Sequence, residues 1–190
     1  GKFHGIFSNV QMFVVSNAID TKYFSAARDT ELNKKFLTGW IDRENVPVCN
    51  YIDFAQAVLR IPEAHEMVTK YTVLDNDKKK LLILRPYQIH AIEAMREASK
   101  AGKYVAAICA APIVLERAGL LEGRKFTCFP GVEDQIASGE HQTDLVVVDG
   151  NIVTSRGAGT ALAFAYALVD LLGGDGQQLA HTMVYDRLFK

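Results

Sequence analysis

The sequence predicts an α/β protein, specifically a three-layer sandwich with a mainly parallel sheet. The first observation is that short apolar runs, such as residues 80–84 and 104–108, alternate with longer segments of helical periodicity, such as residues 86–100. The second is that 190 residues, of which 49% are apolar, supply a core for one ordinary domain or two small ones. Strands that are covered by helices on both faces pair mainly in parallel.

The first half of the chain carries patterns for two strands and four helices. Residues 10–16 predict a strand and residues 30–40 a helix. A second helix is predicted over residues 51–59, and a short third one over residues 62–71. The run KLLIL at residues 80–84 predicts a buried strand. Pro86 then opens a helix that continues to Lys100, because proline suits the first helical turn.

The second half continues the alternation. Residues 104–108 predict a strand, and Pro112 opens a helix that Gly119 ends. A short strand is predicted over residues 125–129. Residues 145–148 and 152–154 predict a hairpin around Asp149-Gly150, a favoured turn pair. An apolar helix is predicted over residues 160–172.

Composition divides the chain near residue 100. Residues 1–100 hold 3 of the 14 glycines, and residues 101–190 hold 11. The first part has 14 basic and 12 acidic residues, the second 7 basic and 10 acidic. This change predicts segments 1–100 and 101–190 of different origin, either as two units or within one compact domain.

Charge and cysteine content exclude several classes of function. A net charge of −1 gives no reason to expect nucleic-acid or membrane binding, and no apolar run reaches the roughly 18 residues that span a bilayer. The start of the chain lacks a signal-peptide pattern. Three cysteines without CxxC spacing disfavour a disulfide framework or a zinc site and predict a cytoplasmic protein.

Cys109 is the main candidate nucleophile. It follows the apolar run YVAAI and precedes Ala110-Ala111-Pro112, so a strand ends in a thiol that faces the start of a helix. Free N–H groups and the helix dipole favour a thiolate there, as in a nucleophile elbow with sulfur in place of oxygen. The alternative is a buried structural cysteine, which packs like a small apolar residue.

The second half resembles the ThiJ/PfpI superfamily, the family of the Parkinson-disease protein deglycase. The resemblance lies in AGKYVAAICAAPIVLERAGLLEGRKFTCFPG, VVVDGNIVTSRGAGTALAFAYALVDLLGG and QQLAHTMVYDRLF. It implies a flavodoxin-like fold, a homodimer and the activity of a cysteine-dependent glyoxalase, deglycase, oxidative-stress sensor, chaperone or protease. It also implies that Cys109 is the nucleophile, that the Cys109 and Ala110 amides form an anion pocket, and that Arg156 and Gly157 lie beside it. For Arg156, pairing with a surface carboxylate is equally open.

The sequence departs from that family at three places around the cysteine, and two of them remove a usual support. Residues 1–30 contain no Gly-Phe-Glu-Glu-like segment, which in active members supplies a carboxylate to the thiol. Arg85-Pro86-Tyr87 stands where members carry a Pro-Gly-Gly turn. Phe129 stands where several glyoxalases of the family have a histidine, although many bacterial relatives have phenylalanine or tyrosine there. The missing carboxylate predicts weak or absent turnover.

The first half resembles a different family, the R subunit of type I restriction enzymes. The resemblance lies in SNVQMFVVSNAIDTKYFSA, FLTGWIDRENVPVCNYIDFAQAVLRIPEAHEMVTKYTVL and LRPYQIHAIEAMREASKAGK, where Gln88 would contact adenine in a complete motor. The chain has no GxxxxGK(S/T) phosphate loop, so ATP hydrolysis is not expected. We interpret the chain as a chimera that joins near residues 101–103, whether natural, engineered or the product of an altered sequence.

The other cysteines, the charged residues after Cys109 and the histidines are expected to have structural or solvent-facing roles. Cys128 is expected to pack in the core and Cys49 to be an incidental thiol; Glu116 and Arg117 are expected to face solvent. The five histidines show no metal spacing, and neither a metal nor a cofactor is expected. The predicted function is a glyoxalase or deglycase, or an oxidative-stress sensor, that acts on a small electrophilic carbonyl. The alternatives are a non-catalytic chimera and a fragment of a restriction subunit.

Overall fold

The computed structural model describes residues 10–25, 37–75 and 80–187. The chain divides into two compact units, Gly1–Ala91 and Ile92–Lys190. Helices and strands alternate through most of the described sequence, which confirms the α/β class. Within the described ranges, no helix combines the length and apolarity needed to cross a bilayer.

The first unit contains an antiparallel sheet, two helices and a hairpin. The sheet comprises β1 (Met12–Ser16), β2 (Thr21–Ser25), β3 (Thr38–Ile41) and β4 (Pro47–Val48), in that order. Helices α1 (Tyr51–Val58) and α2 (Ile61–Thr69) follow. β5 (Thr72–Asp75) and β6 (Lys80–Ile83) pair antiparallel, and α3 (Pro86–Lys100) crosses into the second unit. Asn50 starts α1, because its side chain accepts hydrogen bonds from the first-turn amides.

An aromatic core holds this unit together. The buried side chains at its centre come from β2, α1, α2 and α3, and from the residue just before β5. They are Tyr23, Phe54, Val58, Met67, Tyr71 and Ile89. The Tyr23 hydroxyl donates a hydrogen bond to the Leu84 carbonyl at 3.1 Å. Burial raises the pKa of this phenol, and the nearby Arg85 charge offsets part of the rise.

The sequence predicted most of these elements. Strands near residues 10–16 and 80–84 and helices near residues 51–59, 62–71 and 86–100 are confirmed. The prediction of a helix over residues 30–40 is wrong for its last residues, because Thr38–Ile41 forms a strand that pairs with β2 and β4. Residues 30–36 lie outside the described ranges. The described strands of this unit pair antiparallel, so parallel pairing is confined to the second unit.

The second unit is built on three strands in the order β10-β11-β7. They are β7 (Val105–Ile108), β10 (Val146–Asp149) and β11 (Ile152–Ser155). β11 runs parallel to β7 and antiparallel to β10. The other elements are α4 (Pro112–Arg117), β8 (Lys125–Phe126), β9 (Glu140–His141), α5 (Ala161–Leu171) and α6 (Gly176–Thr182). β8 pairs with β9 in parallel.

Helices cover both faces of the three-stranded sheet, which gives the predicted three layers. On one face Val105, Ala107 and Ile152 join a core with Leu115 of α4, and α3 packs against it. Alternation along β11 turns Ser155 to the opposite face, where its hydroxyl hydrogen-bonds to Thr160 just before α5. The strands, helices and hairpin predicted over residues 104–172 are confirmed, except that the strand predicted over residues 125–129 is limited to Lys125–Phe126.

Polar contacts fix the connections around this sheet. The Asn151 amide group donates to the carbonyls of Ser99 and Lys103 at 3.0 and 2.9 Å, so it ties the hairpin to the end of α3. At the start of α6, a Cβ on Gly176 would lie 2.4 Å from the Tyr166 carbonyl oxygen, so only glycine fits. Because β7 and β11 are parallel neighbours in this sheet, their carboxyl ends lie side by side.

Candidate functional site

Cys109 occupies a strained turn directly after β7. Its backbone φ is 66°, a left-handed conformation that residues other than glycine seldom adopt. Its N–H donates to the Ser155 carbonyl at 3.0 Å, and its carbonyl accepts from the Phe129 N–H at 2.9 Å. Because both backbone groups are bonded to neighbouring segments, the surrounding fold holds the strained conformation in place. The thiol is half-buried at the edge of the sheet.

Ala110 provides a free amide next to the thiol. Its N–H has no acceptor among the described residues, and its side chain is exposed. Two residues later Pro112 begins α4. The Cys109 amide was also expected to face an anion, but it is bonded to Ser155. The geometry therefore leaves the Ala110 amide as the donor next to the sulfur.

Gly157 and Phe129 lie at the same edge of the sheet. Gly157 is buried with an extended backbone, and its N–H donates to the Thr160 hydroxyl at 3.0 Å. A Cβ on Gly157 would lie 3.3 Å from the Phe129 ring, which is itself half exposed. The Phe129 amide bonds to the Cys109 carbonyl. The structure therefore brings Cys109, Phe129 and Gly157 together.

The Arg156 side chain hydrogen-bonds to the segment before β10. Its Nη1 donates to the Thr143 carbonyl at 2.9 Å, and within the described ranges it forms no ion pair with a carboxylate. Burial raises the pKa of the Cys128 thiol, and the positive charge of Arg156 offsets part of this rise. The hydrogen bond of Arg156 thus connects it with Thr143, and among the described residues it makes no hydrogen bond with Cys109.

No side chain of the described residues hydrogen-bonds to the Cys109 thiol. Glu116, on the helix that follows, was expected to face solvent, and its hydrogen bonds do lie in an exposed region. Its carboxylate accepts from the amides of Ala137 and Ser138 at 3.2 and 3.3 Å, and from the Ser138 hydroxyl. The sequence did not predict these bonds, because they form where the chain passes α4 before β9. Glu116 is therefore occupied in holding a loop.

Cys128 forms a second cluster that sequence reasoning missed. The Cys128 thiol is fully buried in the core, as expected, and it donates to Glu133 Oε2 at 3.8 Å. Burial raises its pKa to about 11, and the Glu133 charge adds to this rise. Backbone hydrogen bonds, including one from the Gly131 N–H at 2.7 Å, lower the pKa of Glu133. His141 completes the cluster, with all three ligand atoms within 4.8 Å of one another.

No spacing rule could have found this cluster. The three residues match no metal or catalytic motif, and His141 arrives through the pairing of β9 with β8, which places it opposite Phe126. Its ring also packs against the Phe126 ring, with centroids 5.5 Å apart. Gly131 is the one residue of this segment whose type hints at the arrangement. Its left-handed φ of 88° turns the chain, and Glu133 then contacts Cys128.

Comparison with known proteins places different relatives on the two halves. Residues 85–171 match the model of the DJ-1/PfpI family. Protein DJ-1 homolog A of Arabidopsis thaliana is 42% identical over 84 residues, which cover 44% of this chain and 21% of that protein. The crystal structure of Drosophila melanogaster DJ-1beta aligns with a TM-score of 0.49 at 26% identity, over 60% of this chain and 77% of that one.

The first half has a different relative. An endonuclease subunit of a type I restriction enzyme from Staphylococcus aureus (strain COL) is 33% identical over 101 residues, which cover 53% of this chain and 11% of that protein. The chain thus spans about a tenth of this subunit and about a fifth of the Arabidopsis protein. The C-terminal half resembles the DJ-1/PfpI family, and the N-terminal half resembles a restriction subunit, as the sequence motifs indicated.

Proposed function

We propose that the second unit is a cysteine-centred site of DJ-1/PfpI type that acts on small electrophilic carbonyls, in the manner of a glyoxalase or deglycase. The observation that carries this proposal is the left-handed turn at Cys109, held by Ser155 and Phe129 next to the free Ala110 amide. Strained conformations of this kind are found at nucleophilic sites because they present the side chain to a substrate.

The proposed chemistry is addition of the thiol to a 2-oxoaldehyde. The Cys109 sulfur loses its proton to water and attacks the aldehyde carbon, so an S–C bond forms and the carbonyl π bond breaks. The electron pair moves to the oxygen, where the Ala110 N–H can stabilise the developing charge. Protonation of that oxygen gives a hemithioacetal. Conversion to a hydroxy acid needs transfer of the proton from the former aldehyde carbon to the neighbouring carbonyl carbon, which gives a thioester, and hydrolysis of that thioester by water, which releases the Cys109 thiol. No described side chain hydrogen-bonds to the thiol to carry this proton.

The proposal predicts capture of substrate with slow turnover. The test mixes the purified chain with methylglyoxal and follows both the aldehyde proton by NMR and the intact mass of the protein. Wild type is expected to form a reversible adduct and to consume aldehyde slowly, and Cys109→Ala is expected to do neither. Cys49→Ala, which removes an exposed thiol elsewhere, is the matched control and should behave like wild type. Equal adduct formation by wild type and Cys109→Ala would refute the proposal.

A non-catalytic role is the second candidate, because no described carboxylate or histidine hydrogen-bonds to the Cys109 thiol. General acid–base groups typically contribute about 10²–10⁴-fold to a rate, so their loss could leave a bound adduct without product. Adduct formation without lactate production, together with a cooperative thermal melt, would favour this candidate. Lactate production that depends on Cys109 would favour the enzyme.

Other parts of the proposal rest on the same resemblance. The same thiol could serve as an oxidative-stress sensor, in which two equivalents of hydrogen peroxide convert it to a sulfinic acid with release of two waters. We place the protein in a reducing cytoplasm, since its three cysteines are free, and we expect a homodimer. Sedimentation at micromolar concentration would test the dimer. A DNA-restriction role has the weakest support, because the phosphate loop is absent from the sequence.

A further inference from the structure

Three side chains with metal-binding atoms converge below the β8–β9 pair. They are the thiol of Cys128, a carboxylate oxygen of Glu133 and an imidazole nitrogen of His141, and all three atoms lie within 4.8 Å of one another. Cys128 is fully buried, while Glu133 and His141 are half-buried. A sulfur, a nitrogen and an oxygen around one point form a donor set that suits a borderline divalent ion.

The backbone holds each of these ligands in position. The Thr127 amide donates to the buried Thr154 hydroxyl at 2.9 Å, which fixes the segment that carries Cys128. The Gln142 amide donates to the Phe126 carbonyl at 2.7 Å, which fixes His141. The Gly131 amide anchors the Glu133 carboxylate at 2.7 Å. The ligands therefore lie on rigid segments that require little ordering when an ion binds.

One side chain of the cluster has a buried nitrogen without a hydrogen-bond partner among the described residues. His141 Nε2 is buried and makes no hydrogen bond in the described structure. Buried polar atoms are nearly always satisfied by protein, water or an ion, so this nitrogen calls for an occupant. The Cys128 thiol meets Glu133 only at 3.8 Å, a long contact that leaves its lone pairs available.

We propose that Cys128, Glu133 and His141 bind a divalent zinc-like ion, with water at a fourth position. Tetrahedral zinc with bonds of about 2.0–2.3 Å separates its ligand atoms by about 3.5 Å. The Cys128–Glu133 separation of 3.8 Å is already close to this value, and the other separations, which are at most 4.8 Å, must shorten by no more than about 1.3 Å. Binding replaces the thiol proton, which is released to solvent.

The charges around the cluster favour a cation. A bound ion would face a thiolate and a carboxylate, and the positive charge of Arg156 opposes them only in part. This cluster lies one residue from Phe129, whose amide bonds to Cys109, but it shares no ligand with the Cys109 turn. The metal site therefore does not depend on the proposed chemistry of Cys109.

The test is metal binding by the full-length chain after chelator treatment. Calorimetry with Zn²⁺ is expected to give one ion per chain, and Co²⁺ is expected to give a thiolate-to-cobalt charge-transfer band. Cys128→Ser should abolish the band. His141→Asn and Glu133→Gln should each weaken Zn²⁺ binding by more than about 100-fold. This loss exceeds the roughly 10–100-fold that is typical when a residue that only hydrogen-bonds to a metal ligand is removed. Circular dichroism checks the fold of each variant.

Two other thiols serve as matched controls. Cys49→Ala and Cys109→Ala are expected to bind one Zn²⁺ with wild-type affinity, because neither residue is in the cluster. The proposal fails if the chain binds no Zn²⁺ at micromolar concentration, if His141→Asn and Glu133→Gln both bind like wild type, or if removal of Cys49 or Cys109 abolishes binding. Methylglyoxal capture by Cys109 is measured separately, so either proposal can fail alone.

Discussion

The strain in the elbow can be measured by comparing Cys109→Gly with Cys109→Ala. Both variants remove the sulfur, so the difference between them reports the backbone alone. A left-handed conformation costs a residue with a Cβ about 1–2 kcal/mol, and glycine escapes this cost. At an ordinary position glycine is instead less stable than alanine by about 0.5–1 kcal/mol. The φ of 66° at Cys109 therefore predicts a reversal of the usual order.

We expect Cys109→Gly to be more stable than Cys109→Ala by about 1 kcal/mol. The assay is urea unfolding followed by far-ultraviolet circular dichroism, with the free energy of unfolding extrapolated to water. Ala110→Gly is the matched control, because Ala110 lies in the same turn without a positive φ and should lose stability when changed to glycine. A Cys109→Gly variant that is less stable than Cys109→Ala would show that the turn is not strained.

Three further changes test other parts of the fold. Burial raises the pKa of Tyr23, so the native state favours the protonated phenol. Its contribution to the free energy of unfolding is present below the unfolded pKa of about 10 and is lost as the pH rises above that value. Tyr23→Phe should therefore lose less unfolding free energy at alkaline pH, as measured by urea titrations. Gly176→Ala should destabilise by about 1–3 kcal/mol through its clash with a backbone carbonyl, while Gly159→Ala, which meets no atom within 4 Å, should leave the melting temperature unchanged. Asn151→Ala should lower stability in urea by about 0.5–1.5 kcal/mol, because the hydrogen bonds to the part-buried Ser99 carbonyl and the exposed Lys103 carbonyl are lost.

Local patterns in the sequence predicted the elements that carry the Cys109 turn. The run of apolar residues before Cys109 and the proline at position 112 are neighbours in the chain, so their pattern alone indicates a strand, a turn and a helix. β3 was missed for the opposite reason. Thr38 and Trp40 are held in a strand by Tyr23 of β2 and Val48 of β4, and neither partner lies within the segment 30–40 whose pattern predicted a helix.

The Cys128 cluster could not be predicted because each of its contacts is tertiary. A strand was predicted near β8, but β9 is only two residues long, too short to leave a periodic pattern, and the two strands meet only after a loop that Glu116 anchors. Arg156 illustrates the same limit at a residue that the resemblance placed beside the nucleophile. Its side chain reaches the Thr143 carbonyl, a contact set by the path of the chain before β10.

The helix α3 explains how sequences of two kinds can share one chain. The motifs that resemble a restriction subunit run to about residue 100, yet the DJ-1/PfpI match begins at residue 85, so both include α3. Ile89 of this helix is buried in the core of the first unit, and Met95 packs against the core of the second. A junction at such a helix preserves the local pattern on either side, and β7 with its Cys109 turn can follow it unchanged.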